Sequence, residues 1–313
     1  MDRKDLAGLA GELGLALRDE VLPALGRPEG RAHVSGAAQG SAGGDVTFAI
    51  DERAESFLER FLARRAPDVA FYSEDRGMVV PGSEPAWVLV VDPIDGTRPA
   101  MAGLESACVS VAAAPLDGEP RIRDVEVACV VEIKSGIAFR AERGAGVEPA
   151  PRLSANRDMR RMFWAYGLRG RPVRAIAEVL GEVIDASSVG GATFDLGSAC
   201  FAMTRIATGQ LDAYIEPGPR IVADVPGMRE EFERVGGGAV LNNSPYDLAA
   251  AVLCLEEAGA VVSDAYGRPL GERSLLGSGA DFQISCVAAA NRDLHAAIVE
   301  AIDSGIDRLA QVR

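Results

Sequence analysis

The chain has 313 residues, which is enough for one large domain or two coupled halves. Its 32 basic and 46 acidic residues give a formal net charge of −14, which argues against a nucleic-acid partner because binding to a phosphate backbone requires a basic patch. We expect a cytoplasmic protein without a membrane span or signal peptide, because there is no run of 18 apolar residues and the N-terminus lacks an uninterrupted apolar segment.

The N-terminal part of the chain is predicted to alternate helices and strands. Apolar residues at helical spacing predict an opening helix over residues 2–25, and a Gly/Ala/Ser-rich stretch at 35–44 is typical of a mobile loop. A short strand is predicted over 47–50, followed by Asp51 as the N-cap of a helix over 52–65. Further strands are predicted at 69–72, 87–91, 107–113, 125–131 and 136–140.

A Pro- and Gly-rich stretch at residues 144–151 divides the chain into two predicted halves, 1–150 and 151–313. In the second half, strands are predicted at 162–166, 213–216, 260–263 and 284–290, and helices at 173–184, 196–208, 245–258 and 292–309. The elements interleave without the regular period of a barrel. The expected fold class is therefore α/β (α+β), a sandwich in which layers of helices and sheets alternate.

Residues 92–97 read Asp-Pro-Ile-Asp-Gly-Thr and directly follow the predicted buried strand at 87–91. The proline and the glycine are typical of a sharp turn, which would point Asp92 and Asp95 to one side. Two such charges at ~4 Å repel by about 1 kcal/mol in water and about 4 kcal/mol at an effective dielectric of 20. A hard divalent cation such as Mg²⁺ removes this repulsion. The alternative is a turn whose carboxylates cap backbone N–H groups.

Three more carboxylates lie at predicted strand ends or helix starts. Glu74 follows a predicted apolar strand, Asp51 precedes a helix and Asp247 lies in the first turn of an apolar helix. Each also has a purely structural explanation: Glu74 could lie in a polar loop, Asp51 could be an N-cap, and Asp247 could be favoured by the helix dipole. Together with Asp92 and Asp95 they match the requirements of a multi-magnesium phosphate site, in which ions bridge phosphate oxygens and orient a water.

The remaining residues restrict the chemistry further. Gly96 and Thr97 are placed to begin a helical turn whose N–H groups donate hydrogen bonds to a phosphate. His33 and His295 are the only histidines and lie in no metal-spaced cluster, which argues against zinc and against a serine–histidine triad. The cysteines are separated and are expected to be buried thiols: Cys108, Cys129, Cys200, Cys254 and Cys286. Any catalysis is therefore assigned to carboxylates.

These motifs resemble those of the inositol monophosphatase family, within the wider group of Mg²⁺-dependent phosphatases that includes fructose-1,6-bisphosphatases. The matching segments, in family order, are residues 45–51, 73–75, 92–97, 197–199, 211–216 and 246–259. The resemblance implies a fold of alternating helix and sheet layers, two or three Mg²⁺ ions, a small phosphate ester as substrate and a homodimer. It also implies hydrolysis by direct attack of a metal-activated water.

The resemblance assigns roles to individual residues. The implied metal ligands are Glu74, Asp92, the Ile94 carbonyl, Asp95 and Asp247. Thr97, with Glu74 and Asp51, would position and deprotonate the attacking water, and the N–H groups of Gly96 and Thr97 would hold the phosphate. The residues implied to contact substrate hydroxyls are Ser198, Ala199 and Glu216.

The chain departs from the family pattern in its second half. Glu216 and Asp247 are 31 positions apart (247 − 216), which indicates an insertion at 217–244. The insertion contains a predicted charged helix at 228–234 followed by three glycines, and it forms either a lid with a glycine hinge or a surface elaboration. Asp224 has almost the usual spacing after Glu216, but Asp247 is preferred because it opens an apolar helix.

Further departures lie near the proposed metal site. Asp75 stands where the family usually has a second glutamate, Tyr246 replaces the usual tryptophan, and Arg98 follows Thr97. The lysine often found before the Asp45 segment is also missing. The shorter arm of Asp75 and the missing lysine affect the weakest of the implied metal sites.

The leading hypothesis is a Mg²⁺-dependent phosphomonoesterase for a small polyol or sugar phosphate, with inositol monophosphate first, since a carboxylate at Glu216 can accept two neighbouring hydroxyls. The alternative is a fructose-1,6-bisphosphatase, whose second phosphate requires cations. The candidate cations are Arg98, Arg169, Arg171 and Arg220. A 3′-phosphonucleotide phosphatase, a specialised biosynthetic sugar or nucleotide phosphatase, and a non-catalytic metal- or phosphate-binding regulatory relative also stay open.

Overall fold

Two mixed β-sheets carry the strands of the protein. The computed structural model describes residues 1–32, 47–81 and 84–312. The strands of the first sheet are β1 (Ala70–Ser73), β2 (Gly77–Val79), β3 (Trp87–Asp95), β4 (Cys108–Pro115), β5 (Val127–Glu132), β6 (Ala138–Glu142) and β7 (Gly146–Glu148), in the order β2-β1-β3-β4-β5-β6-β7. All neighbours pair antiparallel except β1 and β3, which are parallel.

The second sheet is formed by residues after the predicted boundary at 150. Its strands are β8 (Phe163–Tyr166), β9 (Ala192–Phe194), β10 (Ala213–Glu216), β11 (Val261–Ser263) and β12 (Cys286–Ala289), in the order β11-β12-β10-β8-β9. β10 pairs parallel with β8 and antiparallel with β12.

Helices cover both faces of both sheets. The α-helices of the described residues are α1 (Arg3–Val21), α2 (Ala49–Arg65), α3 (Thr97–Ala102), α4 (Val173–Ser187), α5 (Ala199–Ala207), α6 (Gly218–Asp224), α7 (Met228–Val235), α8 (Pro245–Ala258) and α9 (Arg292–Gln311). One core joins α1 and α2 to the first sheet, a second joins α5 and α8 to both sheets, and a third joins α4 and α9 to the second sheet. The predicted α/β sandwich of alternating layers is confirmed.

This layering explains the apolar runs of the sequence. In β3, Val88 and Val90 contact the layer of α5 and α8, whereas Leu89 and Val91 contact the layer of α1 and α2. Because successive strand residues point to opposite faces and both faces are covered, the strand is continuously apolar. Helix α8 lies between the two sheets, and its residues 248–255 are all buried. Helices α5 and α8 thus contact the first sheet although they follow the boundary proposed at residue 150.

Two local predictions were wrong. The strand predicted at 47–50 does not form, because α2 already begins at Ala49. Asp51 lies in the first helical turn instead of at the N-cap and accepts a hydrogen bond of 3.0 Å from the Phe48 N–H. The turn predicted at 92–97 is instead the end of β3, which continues to Asp95 and is followed by α3. The loop predicted at 35–44 lies outside the described residues.

The insertion at 217–244 contains α6, which the sequence did not predict, and α7, which it did. Five of its side chains are buried in the core shared with α9 and the second sheet: Ile221, Val225, Met228, Phe232 and Val240. The insertion therefore adds to the C-terminal core. Within the residues that the structure describes, every helix is too short or too polar to cross a membrane.

Candidate metal centre and substrate cavity

Three carboxylates converge at one end of the first sheet. Asp92 and Asp95 come from the end of β3 and Asp247 from the first turn of α8, and one oxygen of each lies within 4.8 Å of the others. Residues three apart in a regular strand face opposite sides of the sheet. The pairing of β3 with β4 shifts register between Asp92 and Asp95, and this irregularity allows both side chains to reach the same cluster.

Hydrogen bonds fix one oxygen of Asp95. Its Oδ2 accepts bonds of 2.6 Å from the Ser198 hydroxyl and 2.6 Å from the Cys200 N–H, and it lies 3.7 Å from the Cys108 sulfur. Ser198 is the N-cap of α5 and also accepts a bond of 3.1 Å from the Phe201 N–H. The start of α5 is therefore coupled directly to the acid cluster.

The cluster carries more negative charge than its surroundings balance. Burial raises the pKa of Asp92 well above its usual value, and the neighbouring carboxylates of Glu74, Asp95 and Asp247 raise it further. Burial also raises the pKa of Asp247 to about 7. Hard divalent cations prefer such oxygen ligands, and a bound cation would relieve the repulsion. The donor set thus fits a hard cation.

Glu74 lines the same cavity and lies in the turn after β1. A buried acid holds this turn on both sides: Glu55 accepts bonds of 2.7 Å from the Ser73 hydroxyl and 3.1 Å from the Asp75 N–H. Glu55 is only 1% exposed. Sequence reasoning missed this residue, although an acid beside Ala54 on the apolar face of α2 was a usable signal.

The Thr97 hydroxyl lies 2.9 Å from Asp51 Oδ1 and 3.2 Å from the Ile94 carbonyl. Thr97 lines the cavity, and Asp51 contacts it from α2. Gly96 precedes it with φ of 95°, and a Cβ at this position would lie 2.7 Å from the Ser106 carbonyl oxygen. A glycine is therefore required between the acid cluster and Thr97.

On the other side of the cavity, Arg171 and Glu216 form a buried ion pair. Glu216 is fully buried, and its Oε1 also accepts a bond of 2.8 Å from the Gly218 N–H. The cavity is lined by Arg171, together with Arg169, whose carbonyl accepts a bond of 2.7 Å from Arg171. Glu216 is not among the described residues that line it. Of this ion pair, Arg171 is thus the member that lines the cavity.

The cavity has a volume of about 470 Å³. Of the residues predicted for the site, those at its wall are Glu74, Asp92, Ile94, Asp95, Gly96, Thr97, Ser198, Ala199 and Asp247. Polar residues that sequence reasoning did not select also line it: Tyr166, Asp195, Asn242 and Asn243. The two asparagines come from the end of the insertion, directly before the N-cap Ser244. Their position directly before this N-cap was the only feature of the sequence that pointed to the two asparagines.

Two residues considered from the sequence lie elsewhere. Arg220 binds Asp224 at 3.1 Å and Asp303 at 2.5 Å and does not line this cavity. Asp224 also accepts a bond of 2.7 Å from the Tyr266 hydroxyl. This geometry supports Asp247 over Asp224 as the member of the acid cluster.

The five alternating layers and the acid cluster beside a small cavity define a layered α/β protein with a site suited to a hard cation. The model of the inositol monophosphatase family matches residues 8–307, and the chain belongs to this family. The family, the fold class and the class of enzyme predicted from the sequence are therefore confirmed.

Curated relatives align with most of the chain. The fructose-1,6-bisphosphatase/inositol-1-monophosphatase of Methanothermobacter thermautotrophicus is 28% identical over 274 residues, 84% of this chain and 85% of that protein. The Nus factor SuhB of Vibrio cholerae is 25% identical over 228 residues, 71% of this chain and 73% of its own. The chain is thus similar both to a relative named as a phosphatase and to a relative named as a Nus factor.

Solved structures show the same fold. The extragenic suppressor protein SuhB of Bartonella henselae superposes with a TM-score of 0.70 at 19% identity, covering 95% of this chain and 98% of that one. The inositol monophosphatase of Thermotoga maritima superposes with a TM-score of 0.68 at 18% identity, covering 99% and 100%. At these identities the likeness concerns the fold alone.

Proposed function

We propose that the protein is a Mg²⁺-dependent phosphatase of a small polyol or sugar phosphate. The observation that carries this proposal is the convergence of Asp92, Asp95 and Asp247 at the wall of a cavity of about 470 Å³. A volume of this size is typical of small-molecule sites. Because one wall is acidic, a phosphate ester requires a cation between itself and the carboxylates.

The residues that would hold two or three Mg²⁺ ions are Glu74, Asp92, the Ile94 carbonyl, Asp95 and Asp247. Bound Mg²⁺ would supply Lewis-acid chemistry that polarises the phosphate and acidifies water. Side chains of the protein would then orient the attacking water and remove its proton. The Thr97 hydroxyl, held by Asp51, is placed at the wall to orient a water and to pass its proton to a carboxylate, with Glu74 as the second acceptor.

The phosphate and the alcohol part of the substrate are assigned to different walls. The N–H groups of Gly96 and Thr97 begin α3 and would hold phosphate oxygens. Ser198 and Ala199 line the cavity beside Asp95 and would contact the hydroxyls. Because Glu216 is paired with Arg171, we assign it to positioning this arginine instead of to direct contact with the hydroxyls.

Inositol monophosphate remains the leading substrate, and a sugar bisphosphate such as fructose 1,6-bisphosphate is the second candidate. The guanidinium groups of Arg98, Arg169 and Arg171 line the cavity and favour a second anionic group on the substrate. The relative from Methanothermobacter thermautotrophicus carries both activities in its name. We also retain the homodimer and the cytoplasmic location as predictions.

Phosphate release by metal-stripped protein, with and without added Mg²⁺, tests the proposal. The substrates are inositol 1-phosphate, fructose 1,6-bisphosphate and 3′-phosphoadenosine 5′-phosphate. We expect Mg²⁺-dependent turnover of one of them, abolished in Asp247→Asn and kept in Asp185→Asn, a matched change at an exposed position of α4. Mg²⁺ binding without turnover of any of the three would point to an unusual substrate recognised by the insertion. Neither turnover nor Mg²⁺ binding would favour a non-catalytic regulatory relative.

A further inference from the structure

A second cavity lies beside the insertion and has a volume of about 330 Å³. Its lining includes four arginines: Arg220, Arg229, Arg268 and Arg273. No aspartate or glutamate is among the described residues that line it. In contrast, five carboxylates line the candidate active cavity. An arginine-lined cavity stands out in a chain with a net charge of −14.

Two of these arginines are neutralised by neighbours and two are not. Arg220 binds Asp224 and Asp303, and Arg273 lies 3.2 Å from Asp264. Arg229 and Arg268 form no salt bridge with any residue that the structure describes. The guanidinium of Arg268 lies 4.6 Å from the Tyr266 ring, which holds it at the cavity. Because Asp224, Asp303 and Asp264 offset three of the four arginine charges, one net positive charge is left for a ligand.

The floor of the cavity is polar and neutral. Asn242, Gln283 and Ser285 line it, and the Asn242 amide donates a bond of 3.0 Å to Gln283 Oε1. Asn242 is 9% exposed, and its Oδ1 is buried without a hydrogen-bond partner among the described residues. A buried unpaired acceptor costs about 1–3 kcal/mol.

We propose that this arginine-lined cavity binds a small phosphate ester at a site separate from the candidate active cavity. Arg229 and Arg268 bind the phosphate, because guanidinium groups match phosphate oxygens in charge and geometry. The site is connected to the first cavity, since Asn242 lines both and precedes Asp247 by only five residues.

Calorimetric titration of metal-free protein with inorganic pyrophosphate, in the presence of EDTA, tests the proposal. The test variant is Arg229→Ala/Arg268→Ala, and the matched control is Arg60→Ala/Arg64→Ala, which removes the same charge from exposed positions of α2. We expect the test variant to bind pyrophosphate at least about tenfold more weakly than wild type, because it loses charge-assisted hydrogen bonds. The control should bind within about twofold of wild type.

Three results would overturn the proposal: no binding to wild type, equal weakening in both double variants, or a loss of binding in Arg169→Ala that the double test variant does not show. The last result would place the anion in the candidate active cavity. Circular dichroism of each variant checks that it is folded. Because the titration requires neither Mg²⁺ nor hydrolysis, its failure is distinguishable from failure of the proposed phosphatase activity.

Discussion

Ser198 donates a hydrogen bond of 2.6 Å to Asp95 and thereby joins the start of α5 to the bulged end of β3. The same hydroxyl caps α5 by accepting from the Phe201 N–H. One side chain thus fixes both a helix terminus and a carboxylate of the acid cluster. Changes at this position are expected to alter stability and metal affinity together.

Ser198→Ala should lower the free energy of unfolding by about 1–2 kcal/mol, because a helix cap and a buried hydrogen bond are lost. It should also weaken Mg²⁺ binding, since Asp95 loses a partner that orients it. Urea unfolding and Mg²⁺ titration measure the two effects. Asn291→Ala is the control, because Asn291 caps α9 through the Leu294 N–H. If the control weakens Mg²⁺ binding equally, the effect reports general destabilisation.

Asp92→Asn should raise the melting temperature in EDTA and abolish the stabilisation by Mg²⁺. The asparagine retains an oxygen for the 3.0 Å bond from the Ile94 N–H and removes one of the repelling charges. Thermal unfolding with and without Mg²⁺ measures both changes. Asp185→Asn, on the exposed face of α4, should behave like wild type. A variant that is less stable than wild type in EDTA would contradict the assignment of repulsion at the cluster.

Arg171→Met should destabilise the fold by about 3–5 kcal/mol, because Glu216 is left as a buried charge without its partner. Adding Glu216→Gln should restore most of this loss. A double-mutant cycle by urea unfolding measures the interaction. If the two single changes are simply additive, the ion pair contributes little, and Glu216 has another stabilising partner.

The buried Glu55 should make stability depend on pH. Burial raises the pKa of Glu55 to about 7. Hydrogen bonds from the Ser73 hydroxyl and the Asp75 N–H oppose this rise, as does the charge of Arg76, whereas the charge of Asp75 adds to it. Since its unfolded value is near 4.5, the folded state holds the proton more tightly, and stability falls as pH rises from 4.5 to 7. Relative to wild type, Glu55→Gln should therefore gain stability over this range, by up to about 3 kcal/mol. Urea unfolding in EDTA across the range measures the difference, and a constant difference would contradict the raised pKa.

Phe232→Ala, in the insertion, should lower the free energy of unfolding by about 3–5 kcal/mol, because its fully buried ring packs in the C-terminal core. Val235→Ala, at a 39% exposed position of the same helix, should change it by less than about 1 kcal/mol. Chemical denaturation distinguishes the two. Similar small effects at both positions would indicate that the insertion is a loosely attached flap.

The acid cluster was predictable because its members lie at strand ends and helix starts that the sequence marks. Asp92 and Asp95 follow an apolar run, and Asp247 opens a long apolar helix. These signals are local, so one sequence is sufficient to detect them. The bulge in β3 was not predictable, since it depends on the register with β4.

The opposite wall of the cavity could not be predicted in the same way. Arg171 and Glu216 are 45 positions apart (216 − 171), and their contact depends on the parallel pairing of β8 and β10. Glu55 lies beside Ala54 on the apolar face of α2, which indicated its burial, but its contacts with the turn around Glu74 depend on how that turn packs against α2. The start of α2 was misplaced because Asp51 suits both an N-cap and the first turn.

The acid cluster takes its members from positions 152 residues apart in the chain (247 − 95). An ion bound there would act as a reversible cross-link that closes this long loop, and such links restrict the unfolded chain more strongly as the loop grows. During synthesis, a chain that has not yet reached Asp247 lacks one ligand of the cluster. The metal affinity of N-terminal fragments of increasing length would therefore report the chain length at which Asp247 joins Asp92 and Asp95.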